Sequence, residues 1–249
     1  MSDVLVLTAL ELEARGLARE LELPRLSRLP FPAYELERTP HPRCAGTRRV
    51  PGRLRLAPVG LRGALLSERG PALAADLTFP LVVSAGTCGA LAPELGAGDL
   101  VLPESVIGLA GERLNVTPGA HALAAGLAPE ARRGLLLTSR DVLATPEDKA
   151  ERFQATAAAA VDLESAVILA WASRQGHPSL VVRAVADTAH QYLPAELVGL
   201  VTPEGKLLTG GILALTFTHP TTIPRALLLR RGTRRALRSV ARLIAALVE

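Results

Sequence analysis

The sequence predicts an α/β domain built on a largely parallel sheet with helices on both faces, and two observations carry that prediction. Short, predominantly apolar runs recur at residues 4–7, 81–85, 135–137 and 180–185, with Ser84 and Arg183 the polar exceptions. Such runs are what strands buried on both faces require. Segments of helical composition separate them, so that strand and helix alternate along the chain. A length of 249 residues is enough for one core of this kind. With no internal repeat and no linker, residues 1–249 are expected to form a single domain.

Each element follows in order. Val4-Leu5-Val6-Leu7 is the first strand, and helix-forming Glu11 to Leu21 comes directly after it. Residues Pro24 to Pro58, rich in Pro and Arg and broken at Pro51-Gly52, are expected to be irregular or hairpin-like. Leu61 to Asp76 reads as helix. Leu81 to Ala85 is a second buried strand, running into a glycine-bearing turn over Gly86-Thr87-Cys88-Gly89-Ala90. Gly98-Asp99 turns the chain into a strand at Leu100-Val101-Leu102, and Leu135 to Thr138 forms the next. Glu147 to Ala160 is expected as one helix. Asp162 to Arg174 is expected as another, with its acids at the start, where they suit the helix dipole. Leu180 to Val185 is a strand ending at Asp187, and residues 224–249 close the chain as a basic amphipathic helix.

Composition narrows the function classes. About half of the residues are apolar and a fifth charged, as in a globular protein. Two cysteines, Cys44 and Cys88, offer neither a disulfide framework nor metal-ligand spacing, so a reducing cytoplasm and no metal are expected. The N-terminus lacks the basic start and apolar run of a signal peptide. The most apolar late stretch, Leu207 to Phe217, is about half the length of a membrane span and carries two glycines. Net charge is +4, yet Arg230, Arg231, Arg234, Arg235 and Arg238 cluster between Arg225 and Arg242 with no acid among them. That cluster suits solvent, an anionic membrane or nucleic acid. Stacking aromatics are absent from it, which argues against nucleic acid.

Ligands of open α/β sheets sit beyond the carboxyl ends of the strands. Glu11 and Glu13 follow the first strand, Gly86 to Ala90 the second, Asp141 to Ala144 the Leu135 strand and Asp187 the Leu180 strand, while Asp162 and Glu164 open the intervening helix. Several carboxylates at one sheet edge suit glycoside chemistry: one protonated acid assists the leaving group, another orients water, and a third holds sugar hydroxyls. Taken singly, each acid fits an N-cap or first-turn charge worth ~1 kcal/mol equally well. Other motifs are missing. Gly86-Thr87-Cys88-Gly89 has neither dinucleotide spacing nor a P-loop Lys, there is no His-Glu-x-x-His, and Ser84 has no nucleophile elbow. His190 near Asp187 fits a functional and a surface role alike.

Four motifs taken together resemble a known superfamily. Ser84-Ala85-Gly86-Thr87-Cys88-Gly89-Ala90-Leu91 with Gly98-Asp99-Leu100-Val101 resembles the glycine turn and Gly-Asp strand of the nucleoside phosphorylases and nucleosidases. Val161-Asp162-Leu163-Glu164-Ser165-Ala166 resembles their ribose motif, and Val182-Arg183-Ala184-Val185-Ala186-Asp187 their Val-Arg-Ala-Ile-Ser-Asp. Leu10-Glu11-Leu12-Glu13 resembles the Met-Glu-x-Glu of methylthioadenosine/S-adenosylhomocysteine nucleosidases. A narrower similarity, to the hopanoid-associated phosphorylase branch, runs through residues 141–149, 186–190, Leu193-Pro194, 197–200, His219-Pro220, Pro224 and the Arg-rich helix.

The resemblance implies a three-layer αβα phosphorylase-type fold around a mixed, largely parallel twisted sheet, and cleavage of the N-glycosidic bond of an adenine nucleoside. In the narrower branch that nucleoside is adenosylhopane, a lipid-linked substrate. Asp187 would protonate purine N7, Glu13 would activate water, and Glu164 would grip the ribose hydroxyls. Asp162, Leu163, Thr87, Cys88, Gly89, Val142, Leu143 and Arg183 would complete the substrate site. No cofactor is implied, although phosphate is a possible co-substrate, and relatives form dimers or hexamers. Three departures stand out. Leu143 replaces a stacking Phe, Asp162 replaces a Glu, and Ser84 stands where hexameric phosphorylases place a phosphate-binding Arg, with Arg62 a possible substitute. With Glu13 present, hydrolysis is expected over phosphorolysis. The rivals are a methylthioadenosine/S-adenosylhomocysteine nucleosidase, a futalosine-type hydrolase and a non-catalytic nucleoside-binding protein. The closing helix would either dock on the protein and solvate its charge or rest on the inner membrane surface.

Overall fold

Apolar runs with Val and Leu at every position make strands whose two faces are both buried, and the core divides accordingly. A computed structural model of the chain describes residues 3–37, 52–78, 80–193, 202, 204–206 and 223–248. Within them the order is β1 (Val4–Thr8), α1 (Glu11–Glu20), β2 (Tyr34–Glu37), β3 (Arg53–Pro58), α2 (Leu66–Ala74), β4 (Leu81–Ala90), β5 (Leu100–Val101), β6 (Ser105–Ile107) and β7 (Arg113–Asn115). There follow α3 (Pro118–Leu127), β8 (Leu135–Thr138), α4 (Pro146–Thr156), β9 (Ala160–Asp162), α5 (Ser165–Arg174), β10 (Ser179–Asp187) and α6 (Ile223–Val248).

Period-two alternation sorts the strand residues between two helix layers. Val4, Val6, Val83, Leu180 and Val182 pack under α1, α3 and α6 with Leu17, Ala124, Leu237 and Val240. Leu5, Leu7 and Val82 turn the other way, onto α2 and α5, against Leu66, Leu73, Ile168 and Trp171. The result is a three-layer αβα fold around one mixed sheet, in strand order β2-β3-β1-β4-β9-β8-β6-β7, with β10 against β4 and β5. The β1–β3, β1–β4, β4–β10, β6–β8 and β8–β9 pairings are parallel.

The topology of β4 positions the site. β10 runs along one edge of β4 from Val82 to Gly89. On the other edge β1 pairs only as far as Ser84, and β9 joins at Gly89 and Ala90. Between them the sheet forks, leaving a notch beside residues 85–88.

Several expectations need correction. The glycine turn at residues 86–90 is the second half of β4, a strand of 10 residues. Helix propensity in the Ala157-Ala158-Ala159-Ala160 run suggests that the helix continues to Ala160. Instead α4 stops at Thr156 with Ala157 left-handed (φ 56°), and Ala160 to Asp162 form β9, paired with β4 and β8. Pairing at the fork outweighs local preference, and the following helix starts at Ser165 rather than Asp162. Leu61 to Asp76 divides into a 3-10 turn at residues 61–63, with Arg62 at φ 53°, and α2. Within Pro24 to Pro58, β2 and β3 do form an antiparallel pair, but β3 is also a full parallel neighbour of β1. The short strands β6 and β7 and helix α3 had no counterpart in the sequence reading. Cys44, the Leu207–Phe217 run, Pro194, the 197–200 match and His219-Pro220 lie outside the described residues. Among the described residues no helix is long and apolar enough to cross a membrane.

Candidate active site

The notch beside β4 leaves the Thr87 N–H without a strand partner, and a side chain fills the role. Glu13, in the first turn of α1, turns inward and accepts from the backbone N–H and the hydroxyl of Thr87, both at 2.8 Å, through Oε1. Its Oε2 accepts from the Leu10 N–H at 3.2 Å, which satisfies one of the orphan donors at the helix start. Gly86 makes this approach possible. Its φ of 148° lies outside the range that L side chains favour, and a Cβ there would stand 2.9 Å from Glu13 Oε1 and 2.7 Å from Arg183 Nη1.

Beyond Glu13 the notch widens into a cavity of about 180 Å³. Thr87, Cys88 and Gly89 form its β4 wall, and Asp162, Leu163 and Glu164 its β9–α5 wall. Asp187 lies at the end of β10, while Asp141, Val142 and Leu143 come from the loop after β8. The remaining wall is apolar, made by Ala9, Leu10, Leu61, Val161 and Leu193. Every site residue proposed from the sequence lines this cavity except one. Arg183 is fully buried behind the wall and does not reach the cavity. Its Nη2 sits 2.7 Å from Asp162 Oδ2 and donates to Ser84 Oγ at 3.0 Å and Ser165 Oγ at 3.2 Å. Arg183 therefore fixes Asp162 and Ser165 from behind the cavity wall instead of lining it.

The acids differ sharply in environment. Asp162 has a full set of donors: Arg183, the Ser165 N–H at 3.0 Å and the Thr138 hydroxyl at 2.7 Å. Its carboxylate caps α5 as much as it faces the cavity. Among the described residues Glu164 accepts only the Arg62 N–H, at 3.1 Å. Burial above all, and then the neighbouring Asp162 charge, push its carboxyl up to about 8 against the pull of Arg183. Asp187 is also raised, because burial outweighs the pull of Lys149. Burial likewise raises the Cys88 thiol, which makes it an apolar wall group rather than a nucleophile.

Sequence reasoning missed Lys149. It is completely buried on α4, and its Nζ donates to Asp187 Oδ2 at 2.6 Å, the Thr188 carbonyl at 2.8 Å and the Gln191 carbonyl at 3.0 Å. Arg62, the candidate offered by the sequence in place of a phosphate-binding Arg, lies outside the cavity wall: its Nε donates to the Arg140 carbonyl at 2.7 Å, and its Nη2 stands 3.9 Å from Asp141. His190 is exposed and absent from the cavity wall. Among the described residues no group of three or more His, Cys, Asp or Glu side chains could hold a metal ion.

Comparison with known proteins agrees with this architecture. No curated protein matches the chain by sequence. A Helicobacter pylori methylthioadenosine/S-adenosylhomocysteine nucleosidase variant, holding 5′-methylthioadenosine in its active site, superposes with a TM-score of 0.70 at 14% identity, over 100% of this chain and 98% of that one. The S-adenosylhomocysteine nucleosidase of Streptococcus pyogenes gives 0.70 at 18%, over 100% and 96%. Futalosine hydrolase of H. pylori gives 0.69 at 14%, over 99% and 97%. At these identities the likeness is one of fold. The phosphorylase superfamily model matches residues 4–213, a span that holds all four motifs and every wall of the cavity. The chain belongs to the phosphorylase superfamily.

Proposed function

We propose that this protein cleaves the N-glycosidic bond of an adenine nucleoside, with water as the favoured nucleophile and adenosylhopane as the favoured substrate. One observation carries the reading: three acids from three separate elements, Glu13 on α1, Glu164 before α5 and Asp187 on β10, converge on one cavity. A binding protein has no use for a buried proton donor opposite a buried base.

The chemistry divides among them. Asp187, whose carboxyl burial raises above its ordinary value, donates a proton to purine N7 as the C1′–N9 bond breaks. The bonding pair leaves with the base, and positive charge develops on the ribose. Glu13, held by three donors, takes a proton from the water whose oxygen attacks C1′. Glu164, which accepts the Arg62 N–H, also accepts from ribose hydroxyls. Those bonds favour its ionised form, which in turn stabilises the cationic transition state.

The apolar lining from Leu10, Leu61, Leu143 and Leu193 supports an apolar 5′ substituent. Exposed Leu227 and Leu228, next to Arg230 and Arg231 on α6, support a peripheral contact with anionic lipid. The solved relatives named for methylthioadenosine and S-adenosylhomocysteine favour a second reading, a nucleosidase acting on those thioethers. The deciding assay is adenine release from adenosylhopane and from methylthioadenosine, with and without phosphate, beside Asp187→Asn. Release from the hopanoid, indifferent to phosphate and lost in the variant, is expected. Preference for methylthioadenosine would refute the substrate, and phosphate dependence would refute water. Full activity in Asp187→Asn would refute the proton donor.

A further inference from the structure

We propose that Lys149 is a positioning residue for this reaction: its ammonium group fixes the Asp187 carboxyl, together with the loop behind it, in one arrangement facing the base. The inference rests on the proton-donor role given to Asp187 above. A fully buried lysine is uncommon, and an ammonium has three hydrogens to place. Here all three have acceptors, on Asp187 Oδ2, Thr188 and Gln191. The carboxyl therefore has one oxygen bound from behind, and the other is left for a ligand.

The same three contacts tie α4 to the turn after β10. That turn continues to Leu193, whose N–H donates to the Ala144 carbonyl at 2.8 Å and whose side chain lines the cavity. Lys149 thus sets the position of Asp187 and part of the opposite wall together.

The charge surroundings make the role testable. Asp187 shares the cavity with Cys88 from β4, Glu13 from α1, Asp162 and Glu164 from the β9–α5 junction, and Asp141 from the loop after β8. Arg183, on its own strand, is committed to Asp162, and on the α6 side Arg225 stacks on Tyr192. Among the described residues Lys149 is the one cation in contact with Asp187. An adjacent opposite charge lowers a carboxyl by roughly 1 to 3 pH units. A group that must be protonated to act gives an alkaline limb to kcat/KM, since activity falls as pH rises through its pKa. Removing the cation lets that pKa rise, so the limb moves to higher pH.

The variants are Lys149→Gln, which keeps donors for the two carbonyls but not the charge, and Lys149→Arg, which keeps the charge. Activity is followed as adenine release across the pH range, with thermal unfolding as a check on folding. For Lys149→Gln the alkaline limb is expected to shift upward by at least one pH unit, with the acid limb in place. For Lys149→Arg both limbs stay put. Calorimetric binding of 9-deazaadenine, whose N7 carries a hydrogen and so prefers an ionised Asp187, reads the same shift without turnover. A Lys149→Gln profile that falls in height with its alkaline limb unmoved, or binding with an unmoved pH midpoint, would overturn the inference. The proton-donor role fails on a different result, full activity in Asp187→Asn.

Discussion

Replacing Arg183 with Met tests how the β9–α5 wall of the cavity is held. The guanidinium is fully buried and meets Asp162, Ser84 and Ser165 within 3.2 Å, while Asp162 is itself 6% exposed. Met fills much of the same volume but supplies no charge. Asp162 then keeps two neutral donors, Ser165 N–H and Thr138, and no cation. Removing one partner of a buried ion pair costs ~3–5 kcal/mol, chiefly because the other charge is left uncompensated. With a urea slope of about 3 kcal/mol/M, the unfolding midpoint falls by about 1 to 1.7 M. The double variant Arg183→Met, Asp162→Asn removes both charges and should be more stable than Arg183→Met alone. Urea unfolding of the four proteins in the cycle gives the coupling directly. A loss below about 1 kcal/mol for Arg183→Met, or strict additivity in the double variant, would show that the pair does not hold the wall together.

Two further outcomes follow from the charges. Glu164 is raised from its ordinary value to about 8, so the folded state binds more protons than the unfolded one between those pH values, and stability declines as pH rises through that window. Urea midpoints of the protein should fall from pH 5 to pH 8, and Glu164→Gln should flatten the decline; an equal slope in both proteins would refute the assignment. For α6, reversing Arg230, Arg231, Arg234 and Arg235 to Glu should abolish flotation with anionic liposomes, each Arg near such a surface contributing ~1 kcal/mol. Equal flotation would leave the cluster as a solvated face.

The sequence revealed the fold wherever burial on both faces produced predominantly apolar runs, as in β1, the first half of β4, β8 and β10. It failed where long-range pairing overrode local preference. Ala160 and Val161 stand in an alanine run that favours helix, and only the edge of β4 and the neighbouring β8 make them a strand. Gly86 signals a turn locally, yet the requirement it meets is clearance for Glu13 and Arg183, residues 73 and 97 positions away. Motif resemblance located the acids of the cavity because their neighbours in sequence are distinctive. Lys149 closes the 141–149 match, yet nothing in that match marks it as buried or as a partner of Asp187. It sits among Glu147, Asp148, Glu151 and Arg152, the ordinary charged surface of a helix, and its burial depends on where α4 meets the turn after β10.

The balance of buried charge also bears on the nucleophile. Apart from Asp141, which is exposed at the rim, four acids line the cavity, and two buried cations stand behind them. Arg183 is matched with Asp162 and Lys149 with Asp187, leaving Glu13 and Glu164 without a cation in contact among the described residues. Glu13 is compensated by three hydrogen-bond donors, Glu164 by one, and Glu164 is the acid whose carboxyl burial drives up to about 8. Among the described residues no Lys or Arg side chain lines the cavity. Such a site attracts positive charge and repels negative charge, since the low dielectric that disfavours ionised Glu164 equally strengthens its attraction for a cationic ribose. A phosphate dianion beside Glu13 would have to overcome that carboxylate without a compensating cation, whereas a neutral water meets no such opposition and finds in Glu13 an acceptor for its proton. The proposal of hydrolysis over phosphorolysis therefore rests on the charge of the cavity's described residues as well as on the presence of Glu13.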